Sequence, residues 1–186
     1  MKTILQVEDD PNDVFLFQHA MKKAGLLNPI QVAIDGQQAI DYLQGAGKFA
    51  DREKYPFPCL VLLDLKLPYV MGLEVLKSIR RQHGMALTVL MLTASGEEAD
   101  ILTAYRLGAN GFLTKPSEAS KLQGLVKAIG DFWLNHNVLP RELCAESPTT
   151  EVVNRVPPTT TDLAPKCERT NGKRREERPH NVKIQS

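Results

Sequence analysis

Five times between residues 4 and 133, a run of four to six mostly apolar residues gives way to a stretch with apolar side chains at helical spacing. Few architectures accept that alternation. The short runs (Ile4–Val7, Ile30–Ile34, Cys59–Leu63, Leu87–Leu92 and Gly111–Thr114) read as strands, several of them apolar enough to be buried on both faces. The stretches between them supply crossovers, which join parallel strands in the right-handed sense and cover both faces of the sheet. The expected fold is therefore α/β, a doubly wound five-stranded parallel sheet with five helices.

The punctuation fits. Asp10 precedes Pro11, a capping residue before a first-turn proline, and Val14, Phe17, Met21 and Ala24 then recur at helical spacing up to Gly25. Asp35-Gly36 opens a second helix carrying Ala39, Ile40 and Leu43. Residues 45–58 hold two glycines, two prolines and five charged residues, and read as a loop. A third helix covers Gly72–Ile79. Ser95 with Glu98 predicts a capping box for a fourth helix that ends at Gly108. Leu122, Leu125, Val126, Ile129, Phe132 and Trp133 mark one apolar face of a long last helix.

Past Pro140 the chain changes character. Residues 141–186 carry five prolines, a Thr159-Thr160-Thr161 run and the mixed cluster Lys173-Arg174-Arg175-Glu176-Glu177-Arg178, with no sustained period. The expected division is a folded domain over 1–138 and a disordered tail over 139–186. Charge is balanced: 14 basic and 15 acidic residues precede residue 141, and 9 and 7 follow. That balance argues against nucleic acid as the partner of the whole chain. Cys59, Cys144 and Cys167 form neither a disulfide framework nor a zinc pattern. With no leader pattern at Met1 and no apolar run near the ~20 residues of a membrane span, the protein is expected to be soluble and cytoplasmic.

Chemistry-capable residues gather where the strands end. Glu8 and Asp9 follow the first strand, Asp64 the third, Thr93 the fourth and Lys115 the fifth. Open α/β sheets bind ligands at that carboxyl edge. Taken singly, Asp64 is a turn-former, Thr93 a cap and Lys115 a solvated loop residue. Together they place three carboxylates near one another, a cluster that needs a counter-charge. Oxygen ligands suit Mg²⁺ or Mn²⁺, with Asp9 and Asp64 expected as direct ligands and the longer Glu8 acting through water. Asp64 is the candidate nucleophile for a phosphoryl group, and Thr93 and Lys115 are its expected hydrogen-bonding and cationic partners.

These motifs resemble the response-regulator receiver domain, the CheY-like family of two-component signalling, over residues 1 to about 138. The resemblance implies a flavodoxin-like sheet of order 2-1-3-4-5. It implies phosphorylation of Asp64 by a histidine kinase, metal held by Glu8, Asp9, Asp64 and the Lys66 backbone carbonyl, and a switch through Thr93 and the aromatic Phe112. It also implies a cis bond at Lys115-Pro116, since X-Pro is where cis is cheap. Glu8 stands where the family more often has Asp, and Met71 where many members have Asp. Lys66 and Ser95 flank the expected phosphoryl group and are placed to tune its lifetime. The long 45–58 loop and the Val7-Glu8-Asp9 sequence are most similar to single-domain regulators paired with phytochrome-type histidine kinases. A homodimer is a further expected partner.

Two other readings compete. A magnesium-dependent phosphatase with an Asp nucleophile wants a second Asp two residues on, where this chain has Lys66. A nucleic-acid regulator would act through the 173–178 cluster, but Glu176 and Glu177 half-neutralise it and no aromatics lie among its charges. An enzyme acting on an outside substrate is accordingly not expected.

Only eleven of the 46 residues in 141–186 are hydrophobic, too few to offset an ordering cost of about 1–2 kcal/mol per residue for backbone alone. Truncation at Pro140 is expected to leave the melting temperature and phosphorylation unchanged. A drop of several degrees would show that the tail packs on the domain.

Overall fold

A computed structural model describes residues 2–138; the expected tail lies outside the described residues. The strands are β1 (Ile4–Val7), β2 (Ile30–Ala33), β3 (Leu60–Leu63), β4 (Thr88–Thr93) and β5 (Gly111–Thr114). The helices are α1 (Pro11–Lys23), α2 (Gly36–Gln44), α3 (Gly72–His83), α4 (Glu98–Arg106) and α5 (Ala119–Ile129). All neighbouring strands pair in parallel, in the order β2-β1-β3-β4-β5. This is the doubly wound arrangement expected of the sequence. No helix among the described residues is long and apolar enough to cross a membrane.

Strand parity sorts the core into two halves, because successive side chains point to opposite faces. Leu5, Val7, Val61, Leu63, Val89 and Met91 pack with Ala39, Tyr42, Val75, Leu76, Ile79 and Ala104 from α2, α3 and α4. Ile4, Leu60, Leu62, Leu90 and Leu92 pack with Phe17, Ala20, Met21, Val126 and Ile129 from α1 and α5. Carried one step past the strands, the same alternation directs Glu8, Asp64 and Lys115 toward the α1/α5 side. It directs Thr93 toward the opposite side. The ladder pins these positions: the Glu8 amide donates to Ala33 O at 2.9 Å, Asp64 to Val7 O at 3.0 Å and Lys115 to Thr93 O at 2.8 Å.

Helix caps follow the sequence in two cases and depart from it in one. Asp10 caps α1 through the Asn12 amide, and Asp35 caps α2 through the Gln38 amide. The Ser95–Glu98 capping box does not form. Helix α4 begins at Glu98 with Glu97 as its cap, so Glu98 is the first helical residue rather than the third. Ser95 lies outside the helix and gives its amide to Thr93 Oγ1 at 3.3 Å.

The 45–58 loop is more built than its composition predicts. It contains a short 3₁₀ turn, Gly47–Phe49, and Phe49 is buried. Arg52 reaches back to the last turn of α2, donating to Tyr42 O and Leu43 O at 2.7 Å each. The Tyr42 hydroxyl donates to Pro56 O at 2.6 Å, and the rings of Tyr42, Phe49 and Tyr55 pack edge to face. An arginine fork thus satisfies carbonyls that a helix end leaves without partners.

The last helix also departs from strict period. After α5 the backbone continues as a π-helical segment, Gly130–His136, capped by Asn137, whose amide donates to Phe132 O. Wider turns rotate the following side chains. Leu134 takes the buried position, and Phe132, expected on the apolar face, is exposed.

One glycine sets the approach of α3 to the β3 edge. A β-carbon at Gly72 would lie 2.0 Å from the Asp64 carbonyl oxygen. By contrast, nothing lies within 4 Å of a β-carbon at Gly124, inside α5. Gly72→Ala is expected to lower the melting temperature, while Gly124→Ala raises it by about 2–4 °C through helix propensity. Thermal unfolding of the two variants checks both; equal melting temperatures would show that α3 can withdraw from the strand end without cost.

Candidate functional site

The carboxyl edge of the sheet brings four elements to one ammonium group. Lys115 Nζ, one residue past β5, donates to Glu8 Oε2 at 2.5 Å, Asp64 Oδ2 at 2.7 Å and Asp13 Oδ2 at 2.8 Å. Glu8 and Asp64 follow β1 and β3, and Asp13 stands in the first turn of α1. A lysine has three N–H donors, so all three are engaged. The Lys115, Asp64 and Glu8 side chains are only 13, 10 and 4 % exposed, whereas that of Asp13 is 38 % exposed.

Asp64 is held at both oxygens. Its Oδ1 accepts from the Leu65 amide at 2.5 Å and the Lys66 amide at 3.4 Å, while Oδ2 faces Lys115. Two backbone N–H groups and one cation fix the orientation of the carboxylate. Glu8, Asp9 and Asp64 each offer an oxygen within 4.8 Å of the others. This all-oxygen donor set fits a hard divalent cation. Asp9 is the exposed member, and Glu8 and Asp64 are buried.

Charge and burial compete here. The Glu8 carboxyl is pushed up to about 7, chiefly by burial and in lesser part by the Asp64 charge, against the downward pull of the Lys115 hydrogen bond and charge. Burial works against the Lys115 ammonium as well, but hydrogen bonds to Asp13, Asp64 and Glu8 outweigh it and hold its pKa above the ordinary lysine value.

The remaining expected residues divide by location. Thr93 is buried at the end of β4, its Oγ1 accepting from the Ser95 amide. Phe112 pairs in register with Met91 and packs, half-buried, against the α2/α3/α4 half of the core. It therefore shares a face with Thr93. Lys66 is exposed beside Asp64. Pro116 lines a small cavity with Lys115, but its peptide bond is trans, since none of the described peptide bonds is cis. Trans is the lower-energy form of X-Pro by about 0.5–1 kcal/mol, and Lys115 reaches all three acids with it. The cis expectation is corrected accordingly.

Asp13 is the contact that sequence reasoning missed. An acid in a helix's first turn is already explained by the helix dipole, which masks any second role. A signal was nevertheless present: Asp13 lies four residues past Asp9, one helical turn into α1 from the acidic edge.

Sheet order and the acid–lysine cluster are those of a class of phosphoacceptor signalling domain. The "Response regulator receiver domain" family model matches residues 4–127. The chain is 36 % identical over 140 residues to "Response regulator Rcp1" of Synechocystis sp., covering 75 % of this chain and 93 % of the relative. Among solved structures, the phosphorylated cyanobacterial phytochrome response regulator RcpA is 36 % identical with a TM-score of 0.69, over 75 % of this chain and 98 % of that one. The Mn²⁺-bound form of Rcp1 is likewise 36 % identical, with a TM-score of 0.67 over 75 % of this chain and 99 % of that one. The chain belongs to the response-regulator receiver family, whose place in two-component signalling is that of a phosphoacceptor.

The raised Glu8 pKa has a sign that can be measured. A carboxyl that holds its proton more tightly when folded contributes stability below its ordinary value of 4.5, and that contribution is lost as pH rises toward about 7. In metal-free buffer, the wild type is expected to lose more stability than Glu8→Gln between about pH 5 and about pH 8. Urea unfolding at the two pH values reads the difference; parallel losses would mean that Glu8 titrates normally.

Proposed function

We propose that this protein receives a phosphoryl group from a sensor histidine kinase on Asp64, in a magnesium-dependent transfer. The observation that carries this reading is the Asp64 carboxylate itself, held by two backbone amides and Lys115 beside the Glu8–Asp9 pair. In the transfer, an oxygen–phosphorus bond forms at Asp64 as the donor's phosphorus–nitrogen bond breaks, and the electron pair leaves with the imidazole. Glu8, Asp9 and Asp64 would hold Mg²⁺ or Mn²⁺, with the Lys66 carbonyl as a further ligand. Bound there, the ion would neutralise charge on the phosphoryl oxygens. Lys115 supplies the second cation, and the Leu65 and Lys66 amides orient the acceptor. The protein thereby assists its own phosphorylation and dephosphorylation without turning over an outside substrate. The resemblance to regulators of cyanobacterial phytochrome supports a phytochrome-type kinase as the donor.

The signal then leaves on the side of the sheet that Thr93 and Phe112 share. The Thr93 hydroxyl turns toward a phosphoryl group when one is present, and Phe112 follows into the space it leaves. This is a shift between two populations biased by the new contacts. Leu102 and Tyr105 on α4 are about half exposed, and offer an apolar surface to a kinase or to a second copy of the chain. The residues after 138 are dispensable to this chemistry.

Asp64→Asn is expected to abolish hydroxylamine-labile label from acetyl phosphate, because an amide cannot form an acyl phosphate. EDTA should do the same to the wild type. Comparable label in the variant would place the acceptor elsewhere, and undiminished label in EDTA would refute the metal site.

A further inference from the structure

Lys115 is the only cation touching the acidic edge among the described ion pairs, and each of its three hydrogen bonds ends on a different element. These contacts are not equivalent during phosphoryl transfer. Glu8 and Asp64 belong to the oxygen cluster that suits a divalent cation, and Asp64 is also the acceptor. Both would take a bound cation as a new partner. Asp13 is not in that cluster. Its carboxylate is anchored by α1, whose start is set by the Asp10 cap and Pro11.

The surroundings of Lys115 make a fixed contact necessary. It borders a cavity of about 40 Å³, room for about one water, lined by Leu16, Phe17, Leu92 and Pro116 together with Gln6. Gln6 is buried, and its Oε1 has no hydrogen-bond partner among the described residues. A long flexible ammonium beside open space and a free acceptor has somewhere else to go. Of its three contacts, only that to Asp13 lies outside the oxygen cluster that suits a cation.

We propose that Asp13 is a positioning residue for phosphoryl transfer: it holds the Lys115 ammonium over Asp64 while Glu8 and Asp64 exchange Lys115 for their loaded-state partners. This rests on Asp64 being the acceptor. Asp13 touches no reacting atom, and acts entirely through Lys115.

The test uses the full chain at saturating Mg²⁺, with acetyl phosphate as donor and beryllofluoride as phosphoryl mimic. Asp13→Ala is expected to slow labelling about two- to fivefold, the scale of one half-exposed ion pair, and Asp13→Glu to restore most of the rate. The ¹H–¹⁵N signal of the Lys115 ammonium, read in the beryllofluoride-bound protein, should be resolved in the wild type and in Asp13→Glu and broadened away in Asp13→Ala. A change in helix stability alone would not move that signal. An unchanged rate and an unchanged signal in Asp13→Ala overturn the proposal, as does a slowed rate with the signal intact. Wild-type protein that takes no label sinks the acceptor reading and this one together; labelled wild type with an indifferent Asp13→Ala sinks this one alone.

Discussion

A single ammonium group holds the functional edge of this molecule together. Glu8, Asp13 and Asp64 converge from β1, α1 and β3, and without Lys115 their carboxylates would share a partly desolvated space with no positive charge. Coulombic repulsion between like charges grows as water is excluded. Lys115 turns that repulsion into attraction from three directions, at the cost of burying its own charge. Burial dominates at Glu8, pushing its carboxyl up to about 7 despite the lysine, while hydrogen bonds to the three acids hold the lysine charged. A buried group of this kind is weak evidence for stability and better evidence for a site.

The sheet beneath that edge divides the labour. Because side chains alternate along each strand, the acid–lysine cluster lies on the α1/α5 side, and Thr93 and Phe112 on the other. The acid–lysine cluster and the proposed switch residues therefore lie on opposite faces of the sheet, connected through β4 and β5. Lys115 and Thr93 share a backbone hydrogen bond, and Met91 and Phe112 share a register position. A movement at the end of β4 has a short covalent and hydrogen-bonded route to β5.

Much of this was legible in the sequence, for a definite reason. A doubly wound sheet sends every strand's carboxyl end to the same edge, so finding the strands was enough to gather Glu8, Asp9, Asp64, Thr93 and Lys115. What escaped was information carried by side-chain conformation or by local backbone choice. Asp13 was hidden behind an adequate helix-dipole explanation. Ser95 had the right spacing for a capping box, but its amide is committed to Thr93. The π-helical segment after α5 leaves no mark in apolar spacing, so Phe132 was assigned to a face it does not occupy. Composition described the 45–58 loop as irregular, since no one-dimensional pattern announces that Arg52 will close the end of α2. The isomer at Pro116 is likewise a local backbone choice, and the chain adopts trans.

Gly72 carries no charged or ligating side chain, and yet the Asp64 carbonyl fills the place where its side chain would be. Every missense change at that codon introduces a side chain. A catalogue of tolerated substitutions would thus score Gly72 alongside Asp64, and a reader of that catalogue alone would assign it a chemical role. Its contribution is a clearance: the site's geometry is inherited in part as an empty volume, and selection can keep an absence as strictly as it keeps a reactive group.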